Sequence, residues 1–175
     1  MTRRKRKPKV IVFVEGSNIY FAQKKMERWL DWVKVERFLK KEYKVLEIRY
    51  YVGVRKYDRK MQSFLRKLKK IGFKVKTKPV KIIVDETGRK IEKANFDVEM
   101  TGDALEFKDE FDILILFTGD SDFAYLVDLL HKKGRKVYAF SSKKTLSWEL
   151  KLKADRYFLL EKFSHLTKKR KFVRI

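Results

Sequence analysis

The chain has 175 residues, 44% of them hydrophobic and 39% charged, and its 46 Lys and Arg outnumber 23 Asp and Glu for a net charge of +23. That is one domain's worth of sequence, long enough to bury roughly 70% of the surface its unfolded form exposes, and an aromatic content of 14% excludes a disordered polyelectrolyte. No uncharged stretch is longer than the 8 residues Gly16 to Gln23, which excludes a membrane span, and the lack of cysteine excludes disulfides, zinc fingers and thiol nucleophiles.

A folded domain with a basic surface is suited to a polyanion, either nucleic acid or an anionic membrane surface. The apolar run Val10 to Val14 stops at Glu15, too soon for a signal peptide, so a cytoplasmic location is expected. Two Asn and two Gln beside abundant Lys and Glu are the balance of a thermophile protein.

Residues 1–9 carry six basic side chains and no acid, and residues 162–175 repeat that count. Both read as mobile basic arms flanking one domain at 10–161. Val10 to Val14 has the unbroken apolar character of a strand buried on both faces. Helical patterns follow over Phe21 to Leu30 and Val35 to Tyr43, then a strand over Val45 to Val54. From Asp58 to Ile71 the residues Met61, Phe64, Leu65, Leu68 and Ile71 recur at helical spacing, and Gly72 supplies the stop. Phe73 to Thr77 alternates like a strand, and Lys81 to Lys93 forms a hairpin around Asp85-Glu86-Thr87-Gly88.

A helix is expected over Phe96 to Phe107 and the most buried strand over Ile113 to Phe117. Helix Phe123 to Lys132 ends at Gly134; strand Val137 to Phe140, a helix near Leu146 to Lys153 and strand Tyr157 to Leu160 complete the order. Strands separated by helices of this length imply an α/β fold: three layers, Rossmann-like, with a mainly parallel sheet and helices on both faces.

Sites in such sheets form at the carboxyl ends of the strands, near the point where strand order reverses. Two strands deliver acids there: Val10 to Val14 runs into Glu15-Gly16-Ser17-Asn18, and Ile113 to Phe117 into Thr118-Gly119-Asp120-Ser121-Asp122. Nine acids and one base, Lys108, lie between Asn95 and Asp122, a local inversion of sign in a basic chain. Converging carboxylates repel one another unless a cation neutralises them, and Mg²⁺ and Mn²⁺ prefer such hard oxygen donors. An acidic pocket within a basic surface suits a metal-dependent nuclease, which grips the phosphate backbone and activates water at the metal.

Structural roles compete for the same residues. Glu15, Asp120 and Asp122 are also helix-cap residue types, and Asp97 is placed to complement a helix dipole. Glu99, Glu106, Asp109 and Glu110 read as solvated, and Asp103 lies about 120° round its helix from Asp97. His131 and His165 are read as non-catalytic; Trp29, Trp32 and Trp148 fit core or groove wall better than stacking platforms. Arg66, Lys67 and Lys70 make a charged helix face, and with Arg55, Lys56, Arg59 and Lys60 they form a candidate phosphate track.

Five segments then resemble one family in order. Val12-Phe13-Val14-Glu15-Gly16-Ser17-Asn18 is similar to the opening motif of the NYN domain, a LabA-like branch of the PIN-like ribonuclease superfamily. Lys93-Ala94-Asn95-Phe96-Asp97-Val98-Glu99-Met100, Leu116 to Phe123, Gly134-Arg135-Lys136-Val137 and Lys153 to Phe158 resemble its later elements. The resemblance implies a Rossmann-like sheet and an acidic Mg²⁺ or Mn²⁺ pocket that cleaves RNA. Carried over by position, Glu15, Asp97, Asp120 and Asp122 would be the metal and catalytic acids, supported by Asn18 and Thr118. Glu15 departs from the family's usual Asp by one methylene, which implies a preference for Mn²⁺, slow cleavage, or RNA binding with cleavage lost.

The expected function is therefore a metal-dependent ribonuclease acting on RNA, with a catalytically weak RNA- or DNA-binding module as the alternative. An aspartate-nucleophile phosphotransferase using Asp120-Ser121-Asp122 leaves Glu15 unexplained. RNA is the expected partner, no membrane is, and a second copy of the chain is a further candidate.

Overall fold

The computed structural model describes residues 6–169; the greater part of the N-terminal arm and the last six residues of the C-terminal tail lie outside the described residues. In chain order the elements are β1 (Lys9–Glu15), α1 (Gly16–Met26), β2 (Arg28–Leu30), α2 (Trp32–Glu42), β3 (Lys44–Val54), α3 (Arg59–Ile71) and β4 (Lys74–Pro79). A hairpin of β5 (Lys81–Val84) and β6 (Lys90–Lys93) follows, then α4 (Asp97–Glu106), β7 (Ile113–Phe117), a 3₁₀ turn (Ser121–Phe123) and α5 (Ala124–Lys132). β8 (Lys136–Ser141), α6 (Trp148–Lys153), β9 (Arg156–Leu159) and, after two 3₁₀ turns, β10 (Thr167–Lys169) close the order.

Six strands form one all-parallel sheet in the order β4-β3-β1-β7-β8-β9. The chain starts in the middle, winds outward through β3 and β4, then returns to the centre and winds the other way. Strand order therefore reverses between β1 and β7, which pair over Val10↔Ile113 to Val14↔Phe117.

The two-residue period of the strands divides the core into two clusters. Val10, Val12, Val14, Ile113, Ile115 and Phe117 pack with Ile19 of α1, Val35 and Leu39 of α2, and Leu65 and Leu68 of α3. Ile11, Phe13, Leu114 and Leu116 face the other way, onto Met100 and Ala104 of α4, Leu126, Val127 and Leu130 of α5, and Leu150 of α6. Glu15 and Thr118, two residues beyond Phe13 and Leu116, thus belong to the α4 face.

α3 shows how local chemistry sets an element. Its apolar stripe faces the sheet, Asp58 caps its start by accepting from Met61 N at 2.9 Å, and Gly72 ends it at φ 104°. No glycine marks the end of α1; Glu27 adopts the left-handed conformation (φ 55°) and stops the helix there. The expected helix over Phe21 to Leu30 is corrected accordingly: it begins at Gly16, and Arg28–Leu30 is a strand. That strand pairs antiparallel with Thr167–Lys169, and Leu166 and Thr167 are buried. The tail through Lys169 is therefore packed structure, where a mobile arm from Lys162 was expected. Among the described residues no helix is long and apolar enough to cross a membrane.

Candidate active site

β1 ends in Glu15 and β7 leads into Thr118, Gly119 and Asp120, side by side at the switch point. α4 brings Asp97, its first residue, to the same place. One carboxylate oxygen from each of Glu15, Asp97 and Asp120 lies within 4.8 Å of the other two. A cation bound at 2.0–2.6 Å from each oxygen spans that separation.

Glu15 is the buried member, 8% exposed. It occupies the N-cap position of α1, yet its side chain makes no cap hydrogen bond. Thr118 Oγ1 donates to Glu15 Oε2 at 2.5 Å, and Ser17 Oγ donates more weakly to Oε1 at 3.4 Å. Burial pushes the Glu15 carboxyl up to about 7; the Thr118 hydroxyl opposes this, and Asp120 and Asp97 add to it. Asp97 is also raised, first by burial and further by Asp120 and Asp122, with the Asn95 hydrogen bond and the Lys78 charge opposing. In both residues burial is the leading cause, and the neighbouring carboxylates push the same way.

The supporting residues tie the two loops together. Thr118 Oγ1 accepts from Asp120 N at 3.1 Å while donating to Glu15. Asn18 Oδ1 accepts from Gly119 N at 2.9 Å, so Asn18 latches the turn after β1 to the turn after β7. Asn95 Oδ1 accepts from Asp97 N at 2.8 Å and sets the start of α4. Gly119 is required by close approach: a Cβ there would lie 2.1 Å from the Thr145 carbonyl oxygen and 2.6 Å from Ser141 Oγ.

The cap and ligand readings of Asp120 coexist. Its Oδ1 accepts from Asp122 N at 3.0 Å, which starts the 3₁₀ turn, and a carboxylate retains further lone pairs. Asp122 is exposed and stands outside the three-carboxylate group. Asp103 belongs to a different arrangement, where it accepts from Tyr51 Oη at 2.6 Å and pairs with the buried Arg49 at 2.7 Å. Glu99, Glu106, Asp109 and Glu110 are exposed. His131 pairs with Asp155 at 2.8 Å; Trp32 is core, and Trp148 is exposed.

Lys78 has no signal in the sequence. It sits on edge strand β4, bonds Glu99 at 2.6 Å and lies 4.4 Å from the centroid of the Phe96 ring, close enough for Asp97 to feel its charge. The proposed phosphate track is exposed throughout: Arg55 and Lys56 follow β3 at the carboxyl edge of the sheet, and Arg59, Lys60, Arg66, Lys67 and Lys70 line the outer face of α3. Arg55 is paired with Glu92 of the hairpin.

A doubly wound parallel sheet with three carboxylates at its switch point defines a Rossmann-like domain with an acidic site. The NYN domain family model matches residues 9–161, and the chain belongs to that family, which carries the PIN-like nuclease fold. It is 28% identical over 156 residues to the Low amplitude and bright protein LabA of Synechococcus elongatus, covering 87% of this chain and 83% of LabA. It also resembles the crystal structure of a Vibrio parahaemolyticus RIMD 2210633 protein of unknown function. There the TM-score is 0.77 and the identity 25%, covering 91% of this chain and 96% of that one.

Proposed function

We propose that this chain is a divalent-metal-dependent ribonuclease. The observation that carries the reading is the convergence of Glu15, Asp97 and Asp120 within 4.8 Å in a chain of net charge +23. The donor set is entirely carboxylate oxygen, the ligand type that suits Mg²⁺ and Mn²⁺. A bound divalent cation supplies polarisation of a phosphodiester and a nucleophile from water at neutral pH.

The chain's own residues supply the rest. Glu15 reaches the group despite its extra methylene, and Thr118 orients it while favouring its charged form. Asn18 holds the two loops in register, and Asp122 extends negative charge to the rim of the pocket. Arg55, Lys56, Arg59 and Lys60 grip backbone phosphates, with Arg66, Lys67 and Lys70 continuing the track away from the site. Tyr57, 78% exposed beside Lys56, offers a stacking face to an unpaired base.

The deciding experiment incubates purified protein with labelled single-stranded and structured RNAs in Mn²⁺, Mg²⁺ or EDTA. Cleavage in a divalent metal that EDTA abolishes supports the proposal. Salt-sensitive RNA binding with intact RNA in every metal would replace it with the binding-module reading.

A further inference from the structure

The hairpin of β5 and β6 carries apolar side chains into solvent on both of its faces. Ile83 and Ile91 form a cross-strand pair on one face, while Ile82 and Val84 lie on the other. Their exposures are 47%, 46%, 63% and 59% respectively. Among the described residues β5 pairs only with β6, so its outer edge presents unpaired backbone groups. An isolated two-stranded ribbon is marginal in water and gains from a further strand.

The register determines which groups face outward. Asp85 N donates to Arg89 O, so that pair bonds within the hairpin. Antiparallel alternation then turns the N–H and C=O groups of Val84 and Ile82 to the free edge. A second β5 laid antiparallel about a two-fold axis through Ile83 satisfies both residues: Ile82 of each copy exchanges two hydrogen bonds with Val84 of the other. The same register sets Lys81 opposite Asp85 twice and packs Ile83 against its counterpart. Centring the axis on Ile82 or Val84 preserves the bonding parity but loses the Lys81–Asp85 pairing.

We propose that β5 is a self-association edge, joining two copies of this chain through a two-fold antiparallel β5–β5 pairing centred on Ile83. The proposal rests on strand geometry and stands whether or not the chain cleaves RNA. A single short edge makes an interface below the roughly 1,200 Å² of a stable complex, so association is reversible and concentration-dependent. Copies of charge +23 repel one another, so added salt strengthens this association while it weakens RNA binding.

The chain has no cysteine, so single thiols report the register directly. In the proposed pairing the two copies' residues at position 83 face each other across a non-hydrogen-bonded pair with Cα atoms about 4.5 Å apart, within disulfide reach. Residues at position 91, on the same face, are about 14 Å apart, three strand spacings. Mild oxidation of the full chain at high salt should cross-link Ile83→Cys at least about tenfold faster than Ile91→Cys. Val84→Pro removes an outward N–H and spares the bonds to β6, so it should abolish concentration-dependent sedimentation and slow the Ile83→Cys cross-link with the thermal melt unchanged. Equal cross-linking at the two positions, a monomer at every concentration and salt, or association untouched by Val84→Pro would overturn the proposal.

Discussion

Thr118 Oγ1 donates a 2.5 Å hydrogen bond to Glu15 Oε2, joining the ends of the two central strands inside the carboxylate pocket. The hydroxyl favours the charged carboxylate against a burial that disfavours it. Thr118→Val keeps the shape and removes the donor. Divalent-metal affinity at neutral pH should fall about 10- to 100-fold, as for other residues that orient a ligand, and the pH midpoint of metal binding should rise. Isothermal titration with Mn²⁺ across a pH series measures both.

Glu15 makes stability depend on pH in a definite direction. Its folded carboxyl lies near 7 against an ordinary 4.5, so the folded protein holds the proton more tightly than the unfolded chain. Its contribution is fully present below about 4.5 and is lost as pH rises through about 7. The metal-free protein should therefore melt at lower temperature as pH rises across that interval, and Glu15→Gln should flatten the dependence. Metal affinity should run the other way, because the ligand must be deprotonated. Melting curves with and without Mn²⁺ test both signs.

Asp120→Asn separates ligand from cap. Asparagine caps about as well as aspartate, so the 3₁₀ turn should survive. Cleavage should drop at least about a hundredfold, with RNA binding held or tightened and metal-free stability raised. Asp122→Asn, outside the three-carboxylate group, should cost less. Glu15→Asp should raise Mg²⁺-supported cleavage if the extra methylene detunes the site. Parallel single-turnover assays rank the variants.

RNA affinity should fall linearly in log–log form with salt and show little sequence preference. Deleting residues 1–7 removes five basic side chains and should flatten that slope, while keeping Pro8 and Lys9, whose backbones bond Lys44 of β3 and Asp112. Arg59→Ala with Lys60→Ala should reduce it by about one to two more. Filter binding over a salt series reads the slope; a salt-independent affinity would refute the electrostatic account.

Gly119→Ala tests the close approach beneath the site. The added Cβ meets a backbone carbonyl oxygen at 2.1 Å, which cannot rotate away as a side chain can. Destabilisation of roughly 1–3 kcal/mol is expected, with cleavage lost as the Asp120 loop is displaced. Thermal melts and activity together distinguish this from a neutral surface change.

Much of this arrangement is legible in one dimension because it is periodic or punctuated. Val10 to Val14 and Ile113 to Phe117 announce central strands by lacking polar residues, and Asp58 and Gly72 bracket α3 by their own capping chemistry. The alternation that buries Phe13 and Leu116 on one face also places Glu15 and Thr118 there. The family motifs extend the same legibility to Asp97 and Asp120.

Other features depend on contacts far apart in sequence. Glu27 ends α1 in a left-handed conformation that its residue type does not signal, and Arg28–Leu30 becomes a strand because Thr167–Lys169 lies beside it. Lys78 enters the pocket's field only because β4 and α4 approach each other. The strand and helix alternation and the acids at the strand ends can be read along the chain, since periodicity and capping are local. That Glu15, Asp97 and Asp120 converge while Asp122 stays at the rim and Asp103 turns to Arg49 and Tyr51 follows from the packing of segments distant along the chain. Carboxylates of identical chemistry are told apart by burial and by the neighbours the fold brings to them.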